Sequence, residues 1–324
     1  MPAPADGPGG MDVDAAPEWE LLYGLYGHSR TVTCVEFSPD GQKLATCGAD
    51  CLVHVWETCT GRLLQTWSAH DEGVNAVCWT RDSRYIATAS DDRTVRVFDV
   101  ESGQKIRTFL GHTSYVMCVA CHPLSTLLVS GGFDETIRLW DLQRGTCHRM
   151  IAAHSDAVTS VDFCADGTMM ASCSHDGLMY VHILMQPPMG YSRWTHADKA
   201  PVASVRFSPS SLQLLASSLD SAVRLWDVAN ARVIKTYTSH TNTQYAGAAL
   251  FLFQPGPDSR VWVACGSEDR QVYVWDLQTK RVVASWSAHR DAVAYIAAHP
   301  TLPLLATAGL AQDASVLVWA NVVT

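Results

Sequence analysis

The sequence lacks the features that would indicate membrane insertion or nucleic-acid binding. No apolar run approaches the ~20 residues that a helix needs to cross a bilayer. No basic cluster is present that would hold a phosphate backbone, and the formal net charge is −9. Residues 1–20 have neither the basic start nor the apolar core of a secretory signal. We therefore expect no membrane contact, no direct nucleic-acid binding and a disordered tail over residues 1–17.

Apolar residues and cysteines, in contrast, are abundant, at 48% and 11 residues respectively. Cys118, Cys121 and His122 have the C-x-x-C-H spacing that attaches a c-type haem, and C-x-x-C alone can mark redox or metal chemistry. Without a secretory signal, the cysteines instead fit free thiols in a reducing compartment. The fold decides between these interpretations, because it determines which side chains share a surface.

A repeat of roughly forty residues runs through the chain. Histidine recurs at intervals of 42, 42, 42, 42, 44 and 49 residues, and each histidine is followed by an aspartate and then by an aromatic residue or, once, a histidine. The repeated histidines are His28, His70, His112, His154, His196, His240 and His289. The aspartates are Asp50, Asp92, Asp134, Asp176, Asp220, Asp269 and Asp313. Six positions further on come Trp56, Phe98, Trp140, His182, Trp226, Trp275 and Trp319. This is the WD40 signature, with G-H near the start of a unit and W-D near its end.

Each unit contains four short strands separated by turn residues. In the first unit they are the apolar or alternating runs "TVTCVEFSP", "KLATCG", "LVHVWE" and "LLQTWS". One such blade cannot bury both of its faces, whereas seven blades packed radially can. We predict an all-β fold, a single seven-bladed β-propeller over residues 18–324. Because the seventh unit ends after its third strand, the N-terminal stretch "WELLYGLYG" should complete the last blade.

Two units are irregular. In blade 6 the spacing from histidine to aspartate grows from 22 to 29 residues, which predicts a longer hairpin carrying Phe251 and Phe253. Either both rings are buried between blades, or one is exposed as a partner contact. In blade 4, Pro187 and Pro188 cannot donate ladder hydrogen bonds, so we expect a broken or bulged outer strand there.

The repeated histidines and aspartates have a structural interpretation. In blades 1 and 3, Thr46 or Ser130 completes a His–Ser/Thr–Asp–Trp set that ties the loop before the first strand to a turn. Such residues also form the catalytic sets of hydrolases. A catalytic set is needed only once, however, and the sequence has no G-x-S-x-G or H-E-x-x-H motif. We therefore expect a protein without enzymatic activity.

The repeat also explains the C-x-x-C-H motif, which falls on the first strand of blade 3. Side chains on a strand alternate between its faces, so residues three apart point to opposite sides. Cys118 and Cys121 therefore cannot reach one haem edge or one metal ion. We predict two small thiols in a β-strand, and no metal, haem or other cofactor.

Two rings of positions should line the upper end of the channel. Phe133 precedes a turn aspartate, where we expect exposure, and an exposed aromatic near Asp91 suits a basic or arginine-containing peptide. The alternative is that Phe133 folds over its own blade. Met117, which opens a first strand, is either a pliable contact or a space-filling residue.

Several longer strings resemble one family over residues 19–320, namely the WD-repeat subunit of COMPASS/MLL-type histone H3 lysine-4 methyltransferase complexes. They include "SGGFDETIRLWDLQRGTC", "AHSDAVTSVDF", "ASDDRTVRVFDVESG" and "SEDRQVYVWDLQTK". The resemblance implies a nuclear, non-catalytic scaffold. It would bind an arginine-containing peptide of the SET-domain methyltransferase, or of a histone H3 tail, at the top of the channel. A cleft on the opposite face would hold a second WD-repeat subunit.

The resemblance also implies site residues. The family stacks the inserted arginine between two phenylalanines, where this chain has Met117 and Ala248. Ala203, His175 and Ala246 also depart from the family pattern. The implied peptide-binding positions are Ala49, Asn75, Asp91, Tyr115, Met117, Phe133, His175, Ala203, Ala246 and Ala248. The implied second-subunit cleft consists of Gln213, Leu225, Phe251, Phe253 and Gln278. A WD40 adaptor for a different complex, such as a ubiquitin ligase or a signalling scaffold, is the alternative function.

Overall fold

The structure is a computed structural model that describes residues 17–184, 191–195, 200–245, 247–253 and 260–322. Its strands form seven four-stranded antiparallel sheets arranged as the blades of a propeller, which confirms the predicted fold. Within these ranges no helix has the length and apolar character needed to cross a membrane. Residues 1–16 lie outside the described part, so the predicted N-terminal tail stays a prediction.

The strands follow the sequence repeat. The N-terminal strand is β1 (Trp19–Tyr26). Blades 1 to 3 contain β2 (Val32–Phe37), β3 (Lys43–Gly48), β4 (Leu52–Glu57), β5 (Leu63–Ser68), β6 (Val74–Trp79), β7 (Tyr85–Ser90), β8 (Thr94–Asp99), β9 (Lys105–Leu110), β10 (Val116–Cys121), β11 (Leu127–Gly132), β12 (Ile137–Asp141) and β13 (Thr146–Ile151). Blades 4 and 5 contain β14 (Val158–Phe163), β15 (Met169–Ser174), β16 (Leu178–Ile183), β17 (Tyr191–Thr195), β18 (Val202–Phe207), β19 (Gln213–Ser218), β20 (Ala222–Asp227) and β21 (Arg232–Tyr237). Blades 6 and 7 contain β22 (Ala249–Phe253), β23 (Val261–Gly266), β24 (Gln271–Asp276), β25 (Val282–Ser287), β26 (Val293–Ala298), β27 (Leu304–Gly309) and β28 (Ser315–Asn321).

The ring is closed at blade 7, as the sequence predicts. The sheet order is β1-β28-β27-β26, and β1 pairs antiparallel with β28 from Trp19 opposite Asn321 onward. We call the side with the loops before the first strands the upper face, and the side with the turns after them the lower face. On the lower face, the His299 ring Nε2 of blade 7 lies 2.9 Å from the Gly41 carbonyl oxygen of blade 1. Backbone pairing and this side-chain contact together join the two ends of the ring.

The apolar core is divided into seven clusters, one at each interface between neighbouring blades. Between blades 1 and 2, for example, Cys34 and Val55 pack with Val77, Trp79 and Ile86. Successive side chains of a strand point to opposite faces, and both faces of a blade are covered by its neighbours. This double burial explains why the first three strands of each unit contain so many apolar residues.

A bulge in the inner strand aims one residue of most blades into the central channel. In six blades the pairing of the first and second strands shifts by one residue near its start. The extra residue of such a bulge is unpaired, and its side chain is directed away from the sheet. The bulged residues are Thr33, Asn75, Met117, Thr159, Ala203 and Ala294. All six line the channel cavity.

The expectation of a broken outer strand in blade 4 is wrong. β17 pairs with β16 without a register shift, from Tyr191 opposite His182 to Thr195 opposite Leu178. A register shift in the outer pair occurs instead in blades 1, 2, 3, 5, 6 and 7. Pro187 and Pro188 are outside the described residues and fall between the two strands in sequence.

The additional residues of blade 6 are divided between two places, which corrects the prediction of a longer hairpin alone. His240 to Ala248 spans eight residues, where His28 to Thr33 of blade 1 spans five. Part of the extension therefore precedes β22, and the rest falls between β22 and β23. The first part matters for the channel, because it lengthens a loop of the upper face.

Candidate functional site

Hydrogen-bonded sets hold the upper-face loops in place. In blade 1, His28 Nδ1 lies 2.9 Å from Asp50 Oδ2, and His28 Nε2 lies 2.9 Å from Thr46 Oγ1. Trp56 Nε1 donates to the same Thr46 oxygen at 3.0 Å. Burial lowers the pKa of His28 although Asp50 acts in the opposite direction, so the ring is neutral. One neutral tautomer then satisfies every group in the set, which is what a structural clamp requires.

The sets are more numerous than the two that the sequence analysis identified. Blades 3 and 7 contain the complete set, and blade 4 contains it with His182 Nε2 in place of the Trp nitrogen, 3.2 Å from Ser172 Oγ. Blade 2 has Phe98 at the Trp position and retains the other three members. The additional members are His70, Thr88, Asp92, His154, Ser172, Asp176, His289, Thr307, Asp313 and Trp319.

Blade 6 does not form this set. Cys265 stands at the position of the hydroxyl residue, opposite Tyr273 in the sheet, and Asp269 accepts a hydrogen bond from the Tyr273 hydroxyl at 2.7 Å instead of pairing with His240. Trp275 Nε1 donates to the Thr238 carbonyl at 2.9 Å. Neither ring nitrogen of the buried His240 has a hydrogen-bond partner among the described residues. Burial lowers its pKa to about 4.

The channel forms a cavity of about 470 Å³ that opens on the upper face. Five of the sequence-predicted peptide positions line it, namely Asn75, Met117, His175, Ala203 and Ala248. The Asn75 amide donates to Asp91 Oδ1 at 2.7 Å and to the Val116 carbonyl at 2.9 Å. These bonds hold the Asp91 carboxylate at the edge of the cavity.

Four of the remaining predicted peptide positions form the rim around this cavity. Tyr115 and Phe133 are 48% and 53% exposed, and their ring centroids are 6.2 Å apart. Phe133 therefore contacts a residue of its own blade and still presents about half of its surface to solvent. Ala49 and Asp91 both lie beside Gly73 on the neighbouring rim. Ala246 lies outside the described residues.

The lengthened loop before β22 adds two rim residues that the sequence analysis missed, Gln244 and Tyr245. The Glu268 carboxylate accepts from the backbone N–H groups of Thr243, Gln244 and Tyr245, at 2.6, 2.6 and 2.7 Å. Burial alone would raise the pKa of Glu268, but these donors outweigh it, and the pKa is lowered. The increased spacing in blade 6 was the sequence signal for this loop.

Charged side chains form the floor of the channel, which the sequence analysis also missed. Arg206 Nη2 donates to the Tyr295 hydroxyl at 2.8 Å, and its Nη1 lies 3.6 Å from Asp162 Oδ1. Asp162 Oδ2 also accepts from the Phe207 N–H at 2.7 Å. Glu36 lines the same cavity. The signal was available, because Glu36, Asp162 and Arg206 each occupy the penultimate position of a first strand.

A second cavity, of about 390 Å³, opens on the lower face. Phe251 and Phe253 line it, and they differ in exposure at 8% and 49%. This settles the alternative raised by the sequence, because one ring is buried between blades and the other is exposed. Leu225, at 1% exposed, packs with Phe251 in the core and supports the cleft from beneath.

Gln213 and Gln278 lie near this cleft, outside the residues that line it. Both belong to the lower face, since Gln213 begins β19 and Gln278 follows β24. The Lys235 ammonium donates to the Gln278 carbonyl at 3.1 Å and to its side-chain Oε1 at 3.0 Å. Gln278 is thus held in place at the edge between blades 5 and 6.

The members of the C-x-x-C-H motif have separate surroundings. Cys118 packs at the interface with blade 4 and Cys121 at the interface with blade 2, so they point to opposite faces of blade 3. His122 Nε2 lies 3.1 Å from the Gly167 carbonyl of blade 4. In the described part of the chain, no group of three or more His, Cys, Asp or Glu side chains could hold a metal ion.

Fold, repeat and hydrogen-bonded sets together define a WD40 β-propeller. The chain belongs to the family described as the WDR5 beta-propeller domain, which matches residues 24–320. Members of such families typically serve as non-catalytic scaffolds for protein interactions.

Individual relatives match short stretches only. "Probable cytosolic iron-sulfur protein assembly protein 1" of Vanderwaltozyma polyspora is 44% identical over 54 residues, 17% of this chain and 16% of that protein. "Protein Mut11" of Chlamydomonas reinhardtii is 36% identical over 76 residues, 19% of this chain and 20% of that protein. "WD repeat-containing protein 1-A" of Xenopus laevis is 44% identical over 45 residues, 14% of this chain and 7% of that protein. The chain thus matches a fifth or less of the length of each relative.

Proposed function

We propose that this protein is a non-catalytic scaffold subunit of a nuclear COMPASS-like histone H3 lysine-4 methyltransferase complex. Its upper rim and channel bind a peptide segment of the SET-domain methyltransferase, or a histone H3 tail. Its lower cleft holds a second WD-repeat subunit. The observation that carries the proposal is the exposed pair Tyr115 and Phe133, together with Asp91, which Asn75 of the channel wall links to Val116, the residue after Tyr115.

The chemistry of the rim favours a cationic peptide. Aromatic faces attract guanidinium and ammonium groups, and exposed aromatic side chains are frequent anchors of protein interfaces. Asp91 adds a negative charge next to them, fixed by Asn75. At Met117 and Ala248, where the resembling family has two phenylalanines, stacking worth about 1–2 kcal/mol is absent. We therefore expect weaker binding of an arginine side chain here than in a protein that has both rings.

The lower cleft favours an apolar partner segment. Phe253 presents half of its ring next to a cavity that Phe37, Pro39 and Pro300 also line. Glu36, Arg81 and Arg206 line the same cavity, whose other lining residues are mainly apolar. A solvent-exposed aromatic at the mouth of such a cavity can anchor a partner side chain. Because Phe251 and Leu225 are buried beneath it, Phe253 is the residue through which the cleft can be tested without disturbing the core.

An adaptor in a different multiprotein complex is the second candidate. It is supported by a relative whose name places it in cytosolic iron-sulfur protein assembly, although that match covers only 16% of the relative. The same two surfaces would serve such an adaptor with different partners. The two candidates differ in the identity of the bound proteins, which is therefore what should be measured.

The test is affinity purification of tagged protein from its own cells, followed by quantitative mass spectrometry. We expect wild type to retain a SET-domain methyltransferase and a second WD-repeat subunit. Phe133→Ala should lose the methyltransferase and Phe253→Ala the second subunit. Leu110→Ala, which removes a 72% exposed side chain from an outer strand, is the control and should lose neither. Recovery of other partners, with neither of these two, would contradict the proposal and favour the adaptor.

A further inference from the structure

One continuous cavity joins the rim to the charged floor. The residues that line it include Met117 and Ala248 at the mouth and Glu36 and Arg206 at the floor. Alanines occupy the channel-facing position in three consecutive blades, 5, 6 and 7. Their small side chains leave the passage open on the side above Arg206. A long side chain entering at the rim therefore finds a path to the floor.

The floor has one carboxylate more than it has cations. Arg206 is engaged by Asp162 and Tyr295, and Asp162 additionally accepts a backbone N–H. The Glu36 carboxylate has no hydrogen bond or ion pair with any described residue; the bonds of Glu36 are made by its backbone, which pairs with β3 and accepts from Trp79 Nε1. A carboxylate inside a protein cavity without a partner is costly, and an incoming cation would remove that cost.

We propose that Glu36 determines the specificity of the channel by pairing with the charged end of a lysine or arginine side chain inserted from the upper face. This inference rests on the proposed binding of a peptide at the rim. It assigns recognition of the cation to the floor of the channel, where the residues of this chain supply a charge, in place of the aromatic rings absent at Met117 and Ala248.

The depth of Glu36 explains why the inserted group should be long as well as cationic. Glu36 follows Thr33 by three positions, and a strand rises ~3.3 Å per residue, so it lies about 10 Å below the rim. The Glu36 side chain covers part of this distance, and an extended lysine or arginine side chain covers most of the rest. An anionic group is disfavoured, because it would oppose the ionisation of Glu36 and lie near Asp162, while the single guanidinium of Arg206 is already engaged by Asp162 and Tyr295.

Protonation provides a signature of this pairing. Burial raises the pKa of Glu36 to about 8, although Arg206 acts to lower it. A cation placed beside Glu36 would stabilise the charged form, so binding near pH 7 should release a proton. The titratable or charged groups that face Glu36 are Cys34, Cys78, Cys121, Asp162, Arg206 and Tyr295.

The test uses isothermal titration calorimetry with an acetylated, amidated Ala-Arg-Ala peptide and its lysine and citrulline analogues. Citrulline keeps the shape of arginine but lacks its charge. Measurements at pH 7 in two buffers of different ionisation enthalpy report proton release. We expect wild type to bind the arginine peptide about tenfold or more tightly than the citrulline peptide, with release of close to one proton. In Glu36→Gln, we expect both the preference and the proton release to be lost.

Two comparisons separate this inference from the proposed function. Glu101→Gln, which makes the same change at an exposed turn of the lower face, should behave like wild type. Equal affinity of wild type and Glu36→Gln for the arginine peptide, without proton release, would overturn the role of Glu36. So would failure of wild type to bind the arginine peptide. In either case the co-purification with Phe133→Ala still decides the proposed function, because it does not depend on Glu36.

Discussion

A reciprocal pair of substitutions tests how much the hydrogen-bonded sets contribute to stability. Ser130 Oγ serves two buried groups in blade 3, since it lies 2.8 Å from His112 Nε2 and 2.8 Å from Trp140 Nε1. Ser130→Ala would leave both without a partner. Blade 6 presents the opposite case, because it has Cys265 at the position of Ser130 and His240 has no hydrogen-bond partner among the described residues. Cys265→Ser should supply the missing hydroxyl.

The expected magnitudes follow from the number of groups affected. Each buried group left unpaired costs about 1–3 kcal/mol, so Ser130→Ala should destabilise the protein by about 2–4 kcal/mol. The new bond in Cys265→Ser is worth about 1 kcal/mol, and no further group gains, because Trp275 is already satisfied by Thr238. The two substitutions should therefore shift stability in opposite directions by unequal amounts.

The assay is equilibrium unfolding in urea followed by far-ultraviolet circular dichroism, with midpoints compared at constant slope. The control is Ser114→Ala, because Ser114 is half-buried in the same blade and makes no side-chain hydrogen bond with the described residues. The reasoning is refuted if Ser130→Ala shifts the midpoint no more than Ser114→Ala. It is also refuted if Cys265→Ser lowers the midpoint as much as Ser130→Ala does.

Two further predictions concern His299 and the pair His54 and His240. Gly41→Ala and Gly103→Ala share a positive φ, of 74° and 67°, but only the first places a methyl within 2.4 Å of the His299 ring. It should cost about 1–3 kcal/mol more in urea unfolding, and equal losses would contradict a His299 contact that closes the ring. Burial lowers the pKa of His54 and His240 from 6.5 to about 4. The neutral form of each ring contributes its full stabilisation above pH 6.5. The free energy of unfolding in urea should therefore fall by about 3 kcal/mol per group between pH 6.5 and pH 4. A free energy of unfolding that does not change over this pH range would contradict the prediction.

The blades could be predicted from the sequence because their determinants are local and repeated. Spacing of the histidines, alternation within strands and the unused N-terminal stretch each specify a feature within one unit or at its boundary. The hydroxyl members of the sets could also have been predicted from the sequence. Thr88, Ser172 and Thr307 each follow their histidine by 18 residues, as Thr46 and Ser130 do. Blades 2 and 4 lack the final Trp of the motif, and in blade 7 two additional residues separate Thr307 from Asp313, so these three sets depart from the pattern of blades 1 and 3.

The channel floor could not be assembled from the sequence in this way. Arg206 and Tyr295 are 89 residues apart and meet only because the ring closes. The position of Tyr295 depends on a bulge that shifts the start of β26 by one residue, and no sequence pattern specified that shift. Similarly, the burial of Leu225 depends on how closely blades 5 and 6 approach, which periodicity does not determine.

These observations suggest where a propeller of this kind can acquire new specificity. Residues that pack between blades are constrained on both sides, and the members of the sets are constrained by their hydrogen bonds. The channel-facing residues of the first strands have neither constraint, because their side chains end in a water-accessible space. In this chain those positions range from Ala120 to Glu36, Asp162 and Arg206 without disturbing the sheet ladder. A change of charge there alters what the channel can bind and leaves the fold intact, which is why the floor is the place to look for the selectivity of this protein.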